Sequence, residues 1–401
     1  MRTVKSPIST VVRPLPQTIA LADKGIAADR FAALLAGEAL WLNTARARPV
    51  VAGDMIGDGA TSGSRDRIDI PVAGRLEAGV AGKSVTARFE LSGHLADAAL
   101  VGHDGAMDDP GLYDVAQWRG RPKLVWPEGR TCALWVAPNL ETYEIDPPAH
   151  PRRKSWARPH PDVVGYAHRD YANRVGHMRM ADVMSEFGFP GSVSLSVALC
   201  QHHPAIVADA AARGWEFFSH GIYNTRYAYD MDPDQERAII RDSIDTVEAA
   251  TGQRIRGWLA PALTHTVNTL DLIAEAGLDY TCDLYHDDQP TLAKTKHGAI
   301  TAIPYSLEVN DHYGFFIYNM SPREYADTLI RQYERLAREG EASGTVMCIP
   351  LHSYLIGQPH RIGPFRDVLR HIANDGRAWV AKAGEIVDAY RAQVPGAGVS
   401  A

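Results

Sequence analysis

From about residue 131 onward the chain alternates short apolar, β-branched or aromatic runs with longer amphipathic stretches that carry helix punctuation. Strands are predicted at TCALWVAPNL (131–140), SVSLSVALC (192–200), WEFFSHG (215–221), RGWLAP (256–261), YTCDLYHDD (280–288), ITAIPYS (300–306), TVMCIPLHS (345–353) and RAWVA (377–381). Two helices can be read with their ends. Asp232-Pro233 supplies an N-cap and a first-turn proline, Ile240, Ile244 and Val247 form one stripe, and Gly252 stops the helix. Ser321-Pro322-Arg323-Glu324 is a capping box, followed by Tyr325, Leu329, Tyr333 and Leu336 on one face and Gly340 as the predicted end. Strand–helix alternation with crossovers of this length predicts an α/β fold built on a parallel sheet, and eight repeats predict a closed or nearly closed (β/α) barrel. Active sites of such barrels lie at the C-terminal ends of the strands. The polar residues that end the runs are Asn139, Glu141, His220, Asp287, Asp288 and His352.

Residues 1–112 read differently and are assigned to an N-terminal extension or small α+β element, with the barrel at 113–395. FAALLAGEALWL (31–42) has a helical pattern, while RIDIPVAG and SVTARFELSG alternate like strands. The His- and Asp-containing HLADAALVGHDGAMDDP (94–110) is read as a polar loop rather than a metal site. The irregular DPPAHPRRKSWARPHPDV (146–163), following the first barrel strand, is a candidate substrate-facing wall.

Composition narrows the partners. A 45% hydrophobic chain of 401 residues can bury a substantial core, and a formal charge of −7 argues against nucleic acid or an anionic membrane surface. No stretch reaches the roughly 20 apolar residues of a membrane span. The N-terminal MRTVKSPISTVVRPLPQ lacks the apolar core of a secretory signal, so a cytoplasmic location is expected, and a homo-oligomer with it. Cys132, Cys200, Cys282 and Cys348 form no CxxC pair and are read as small buried hydrophobes.

The strand-end set supplies a carboxylate, two imidazoles, amides at Asn139 and Asn224, and an acidic pair. Such a set can bind a divalent metal, or polarise a carbonyl and deliver water. Trp135 and Trp215 are read as packing residues, while Trp258 is placed at the border of the pocket. Tyr143 and Tyr223 are read as wall, Asp287 and Asp288 as substrate-side acids, and the guanidinium fork of Arg361 in GQPHR as a ligand for a carboxylate or ureide oxygen.

The segments LVWPEGRTCALWVAPNLETYE, GWEFFSHGIYNTRY, RGWLAPALTHT, LDYTCDLYHDDQP, IPYSLEVND and CIPLHSYLIGQPHR, in that order over residues 113–393, resemble the motifs of the polysaccharide deacetylase family. The resemblance is nearest to the branch with metal-independent allantoinases and cyclic imide hydrolases. It implies a distorted TIM-like barrel and a hydrolase of C–N bonds other than peptide bonds. By motif position the family's base corresponds to Asn139, its metal carboxylate to Glu141, its His-x3-His pair to His220 and Asn224, and its acid to His352. Two departures stand out: Asn139 cannot be a base, and Asn224 is a poorer zinc ligand than imidazole. The family's arginine that orients the base is replaced by an apolar residue, Leu259.

Two mechanisms follow. In one, Glu141, His220 and Asn224 hold a divalent ion, zinc by preference. In the other, no metal takes part: Glu141 is the base and His220 and Asn139 donate to the developing oxyanion. In both, His352 protonates the leaving nitrogen. The expected substrate is a small amide, imide or ureide. The alternatives are an N-acetyl sugar of a polysaccharide, or a non-catalytic role as a ligand-binding relative. Sugar isomerase chemistry has only the generic barrel behind it.

Overall fold

The chain divides into two compact units, Met1–Pro110 and Gly111–Ala401. The computed structural model describes the backbone of six strands within the first unit and, in the second, residues 111–114, 118–147, 161–229 and 231–394. In the first unit β1 (Val4–Lys5) pairs with β2 (Val11–Val12), and a four-stranded sheet has the order β3 (Ile19–Leu21), β6 (Lys83–Ala96), β5 (Arg67–Val80), β4 (Trp41–Asn43). The two alternating segments form one antiparallel hairpin, in register from Arg67 opposite Ala96 to Val80 opposite Lys83. The helix expected at 31–42 needs correction at its end, because Trp41 and Leu42 belong to β4; residues 31–40 lie outside the described residues, as do 97–110.

The second unit is a curled nine-stranded sheet wrapped in helices. Its strands are β7 (Cys132–Leu140), β8 (Ser192–Leu195), β9 (Glu216–Ser219), β10 (Gly257–Trp258), β11 (Tyr280–Thr281), β12 (Thr291–Thr295), β13 (Gly298–Ala302), β14 (Thr345–His352) and β15 (Ala378–Val380). Their spatial order is β12-β13-β11-β10-β9-β8-β7-β14, with β15 beside the first half of β7. Every pairing is parallel except β12 with β13. The seam between the two ends is crossed by Trp135 Nε1 donating to the Pro304 carbonyl (3.1 Å) and Val346 N donating to that of Asp288 (2.8 Å). The architecture is thus a distorted (β/α) barrel.

The helices are α1 (Val163–Asp170), α2 (His177–Glu186), α3 (Leu199–His202), α4 (Pro204–Ala212), α5 (Pro233–Thr251), α6 (Thr269–Glu275), α7 (Pro322–Ser343), α8 (Ser353–Ile356), α9 (Ile362–Asp375) and α10 (Ala383–Arg391). Asp232 caps α5 by accepting from Asp234 N, and Gly252 ends it at φ 73°. Ser321 and Glu324 form the capping box of α7. That helix runs past the predicted stop at Gly340 to Ser343. Gly340 is instead the point of close approach to β7, where a Cβ would overlap the Thr131 carbonyl oxygen. Among the described residues no helix is long and apolar enough to cross a membrane.

Period-two alternation decides which side chains enter the barrel. On β7, Leu134 and Val136 join the cluster under the helices, whereas Ala133, Trp135 and Ala137 join a separate interior cluster. The same parity carries Asn139 and Glu141 into the mouth. On β14, Val346 and Cys348 face inward, so His352 does too; on β9, Phe218 is inside and His220 follows it.

Candidate active site

The mouth opens into a cavity of about 300 Å³ lined by Asn139, Glu141, Tyr143, His220, Asn224 and His352, among others. Glu141 is its centre. Oε1 accepts from Asn224 Nδ2 at 2.7 Å and lies 3.3 Å from His220 Nε2 and 3.6 Å from His352 Nε2. Oε2 accepts from the Tyr143 hydroxyl at 2.6 Å. Burial disfavours the carboxylate, but the two histidines outweigh it and hold Glu141 well below the usual carboxylate range.

His352 is held from behind by Asp311, which is fully buried. Nδ1 lies 2.7 Å from Asp311 Oδ1, and the backbone N–H of His352 donates to both carboxylate oxygens at 2.8 and 2.9 Å. Burial opposes charge on this imidazole, yet the carboxylates of Glu141 and Asp311 prevail and push its pKa up to about 10. At neutral pH the arrangement is a carboxylate facing an imidazolium, and the imidazolium directs its Nε2 proton into the cavity. Asp311 itself is held above its ordinary value by burial.

His220 is oriented by its Nδ1, 2.9 Å from the Leu259 carbonyl oxygen, which leaves Nε2 toward Glu141. Leu259 occupies the place expected for an arginine, faces the interior and lines the cavity. Asn139 also lines the cavity, but its Nδ2 donates to Leu351 O (3.2 Å), the Tyr305 hydroxyl (3.2 Å) and Ala137 O (3.4 Å). Its protons are committed to the protein, so the oxyanion role expected for it is corrected. Tyr305 takes its place as the nearby donor. Its oxygen accepts from Asn139 and from Asn310 Nδ2 (3.5 Å), which leaves its proton only a long 3.4 Å contact with Asn139 Oδ1.

The donor set was tested against a divalent metal. Glu141 Oε1 and His220 Nε2 are spaced as two ligands of a tetrahedral ion would be, about 3.4 Å apart for bonds near 2.1 Å. The third position fails. Asn224 turns its N–H groups, not its oxygen, toward Glu141 and toward the Tyr143 hydroxyl (2.5 Å). Among the described residues no group of three His, Cys, Asp or Glu side chains is arranged to hold a metal ion. The expected Glu141–His220–Asn224 ligand set therefore does not fit zinc as it stands.

Five expected substrate-side residues lie off the cavity wall. Trp258 belongs to the outward parity of β10 and packs under the helices. The Tyr223 hydroxyl bonds His202 Nε2 at 2.8 Å. Asp287 pairs with Arg121 at 2.7 Å, and Asp288 sits beside the start of β14, at the strand end opposite His352. Only Tyr280 and Thr281 of YTCDLYHDD are strand, so the chain turns back before the acidic pair. The Arg361 guanidinium stacks on Phe315, 4.1 Å from the ring centre. The expected wall after β7 does contribute: Pro147, Asp162, Gly165, Tyr166 and Arg169 line the cavity, while residues 148–160 lie outside the described residues. Sequence reasoning missed Asp311, His312, Tyr305 and Arg169; the first and third sit in the IPYSLEVND motif, which was the available signal.

Residues 168–281 match the family model for polysaccharide deacetylase. This span includes His220 and Asn224 but neither Glu141 nor His352. A Schizosaccharomyces pombe protein named as a polysaccharide deacetylase is 25% identical over 249 residues, covering 56% of this chain and 76% of that protein. A Pseudomonas aeruginosa PAO1 structure with the same family name is 25% identical, with a TM-score of 0.62, covering 69% of this chain and 96% of that one. The structure of PuuE allantoinase shares the fold at 24% identity and a TM-score of 0.64, covering 72% and 99%.

Proposed function

We propose that this chain, whose residues 168–281 match the polysaccharide deacetylase model, hydrolyses a C–N bond of a small imide, ureide or amide by acid–base chemistry between Glu141 and His352. The observation that carries this reading is the pairing itself: the Glu141 carboxylate and the His352 imidazole lie 3.6 Å apart in a cavity of about 300 Å³, with Asp311 behind His352 at 2.7 Å, an arrangement that favours the ionised carboxylate and the protonated imidazole. A cavity of that size can hold a small ring. Glu141 takes a proton from water as the water oxygen bonds to the carbonyl carbon, and Tyr305 donates to the oxygen that becomes negative. His352 then delivers its Nε2 proton to the nitrogen as the C–N bond breaks. The proton gained by Glu141 returns to His352 across the short gap, which restores both groups.

The matching relatives' family name supports a second reading, removal of an acetyl group from an N-acetyl sugar, with the same two residues in the same roles. Glu141→Gln tests both, since it keeps shape and removes the base. Hydrolysis should fall by about 10²–10⁴-fold with the fold intact. Parent-like turnover in that variant would rule out the acid–base pair.

A further inference from the structure

Besides His220, which faces Glu141, the cavity is lined by a further imidazole that the acid–base pair does not use. His312 follows Asp311 directly and lines the cavity, its ring centre 5.6 Å from that of His352. Its Nδ1 is 3.2 Å from the Tyr354 hydroxyl. That hydroxyl also bonds the Arg169 guanidinium, which can only donate, and we assign the Tyr354 proton to His312 Nδ1. Nδ1 is then the acceptor and the ring proton sits on Nε2. Nε2 has no protein hydrogen-bond partner among the described residues. Phe316 meets the ring edge-on, with centroids 5.1 Å apart. Burial and the neighbouring His352 charge push the His312 pKa down to about 4, which keeps the ring neutral with a single N–H donor.

We propose that His312 Nε2–H is a substrate-binding donor that selects cyclic imides and ureides by hydrogen-bonding the carbonyl oxygen that is not attacked. This rests on the imide and ureide reading above. His352 protonates the substrate nitrogen, so a donor beside His352 meets whatever the nitrogen carries on its other side. In a cyclic imide or ureide that is a second carbonyl. In an N-acetyl sugar it is a saturated ring carbon, which has nothing to accept the bond.

The test compares binding of glutarimide and of 2-piperidone, the same ring without the second carbonyl, by calorimetry. Measurements are made in the Glu141→Gln background so that neither ligand turns over. Adding His312→Met should weaken glutarimide about tenfold, the worth of one hydrogen bond, and 2-piperidone by less than about twofold. Tyr354→Phe, which releases the tautomer without touching the ligand, should shift the same ratio in the same direction by a smaller factor. Equal losses for both ligands, or no loss for glutarimide in either variant, would overturn the role of His312. If the parent hydrolyses no imide or ureide, the functional reading itself falls; if it does so and the ratio stays put, only the His312 assignment fails.

Discussion

Asp311→Asn removes one charge from behind the acid while preserving the side chain's shape. In the parent the His352 pKa stands at about 10 against an ordinary 6.5, a preference for the charged form of roughly 5 kcal/mol. Two carboxylates supply it: Glu141 at 3.6 Å and Asp311 at 2.7 Å. With Asp311 neutral, Glu141 alone must offset the burial penalty, and the pKa should drop by about two units. The sign follows from the required form. The proposed mechanism needs His352 protonated and Glu141 ionised, so the parent's kcat/KM should hold a plateau from below the ordinary Glu range up to about pH 10, then fall. The variant should lose activity from about pH 8 upward while retaining much of it near pH 6. The amide should also face the His352 N–H with its own NH₂, costing about 1–2 kcal/mol of stability. A pH profile of kcat/KM for parent and variant, with thermal unfolding alongside, reads both effects. A basic limb that stays near pH 10 in the variant would refute the assignment of His352 as the protonated acid held by Asp311.

Asn224→His supplies an imidazole where the amide now donates to Glu141 and Tyr143, so it should raise zinc affinity and chelator sensitivity above the parent's; a parent already holding stoichiometric, chelator-resistant zinc would contradict the fit test. Gly340→Ala should destabilise the barrel by about 2–3 kcal/mol in urea unfolding, because the new methyl meets a backbone carbonyl rather than a flexible side chain. Unchanged stability there would mean that α7 can move away from β7 at little cost.

The strands that sequence reading placed best are those buried on both faces. The nine residues of β7 and the eight of β14 are all buried, and each reads as a continuous apolar run whose parity delivers Asn139, Glu141 and His352 to the mouth. The shorter strands were over-read. RGWLAP and YTCDLYHDD each contribute two residues to the sheet, because pairing ends where the curled sheet turns away, and that end point is a property of the neighbours rather than of the run. The error at the second of these carried Asp287 and Asp288 to the wrong end of the barrel. β12 went unread because its antiparallel hairpin, closed at Lys296-His297, breaks the strand–helix alternation used to find the others. Trp258 was placed by adjacency to Leu259, although period two sends neighbours to opposite faces. Asp311 and His312 were missed for another reason: their contacts are with His352 and Tyr354 on a different segment, so the IPYSLEVND motif could flag Asp311 but nothing local shows which side chain it holds, and His312 lies just outside the motif.

The central claim is hydrolysis of a small C–N substrate by Glu141 and His352 without a metal. It is tested most directly by assaying a panel of cyclic imides, ureides and N-acetyl sugars with protein treated with chelator, before and after zinc is added back. The account predicts turnover of a cyclic imide or ureide at a rate that neither chelator nor zinc changes. Turnover confined to N-acetyl sugars, or activity lost to chelator and restored by zinc, would contradict it.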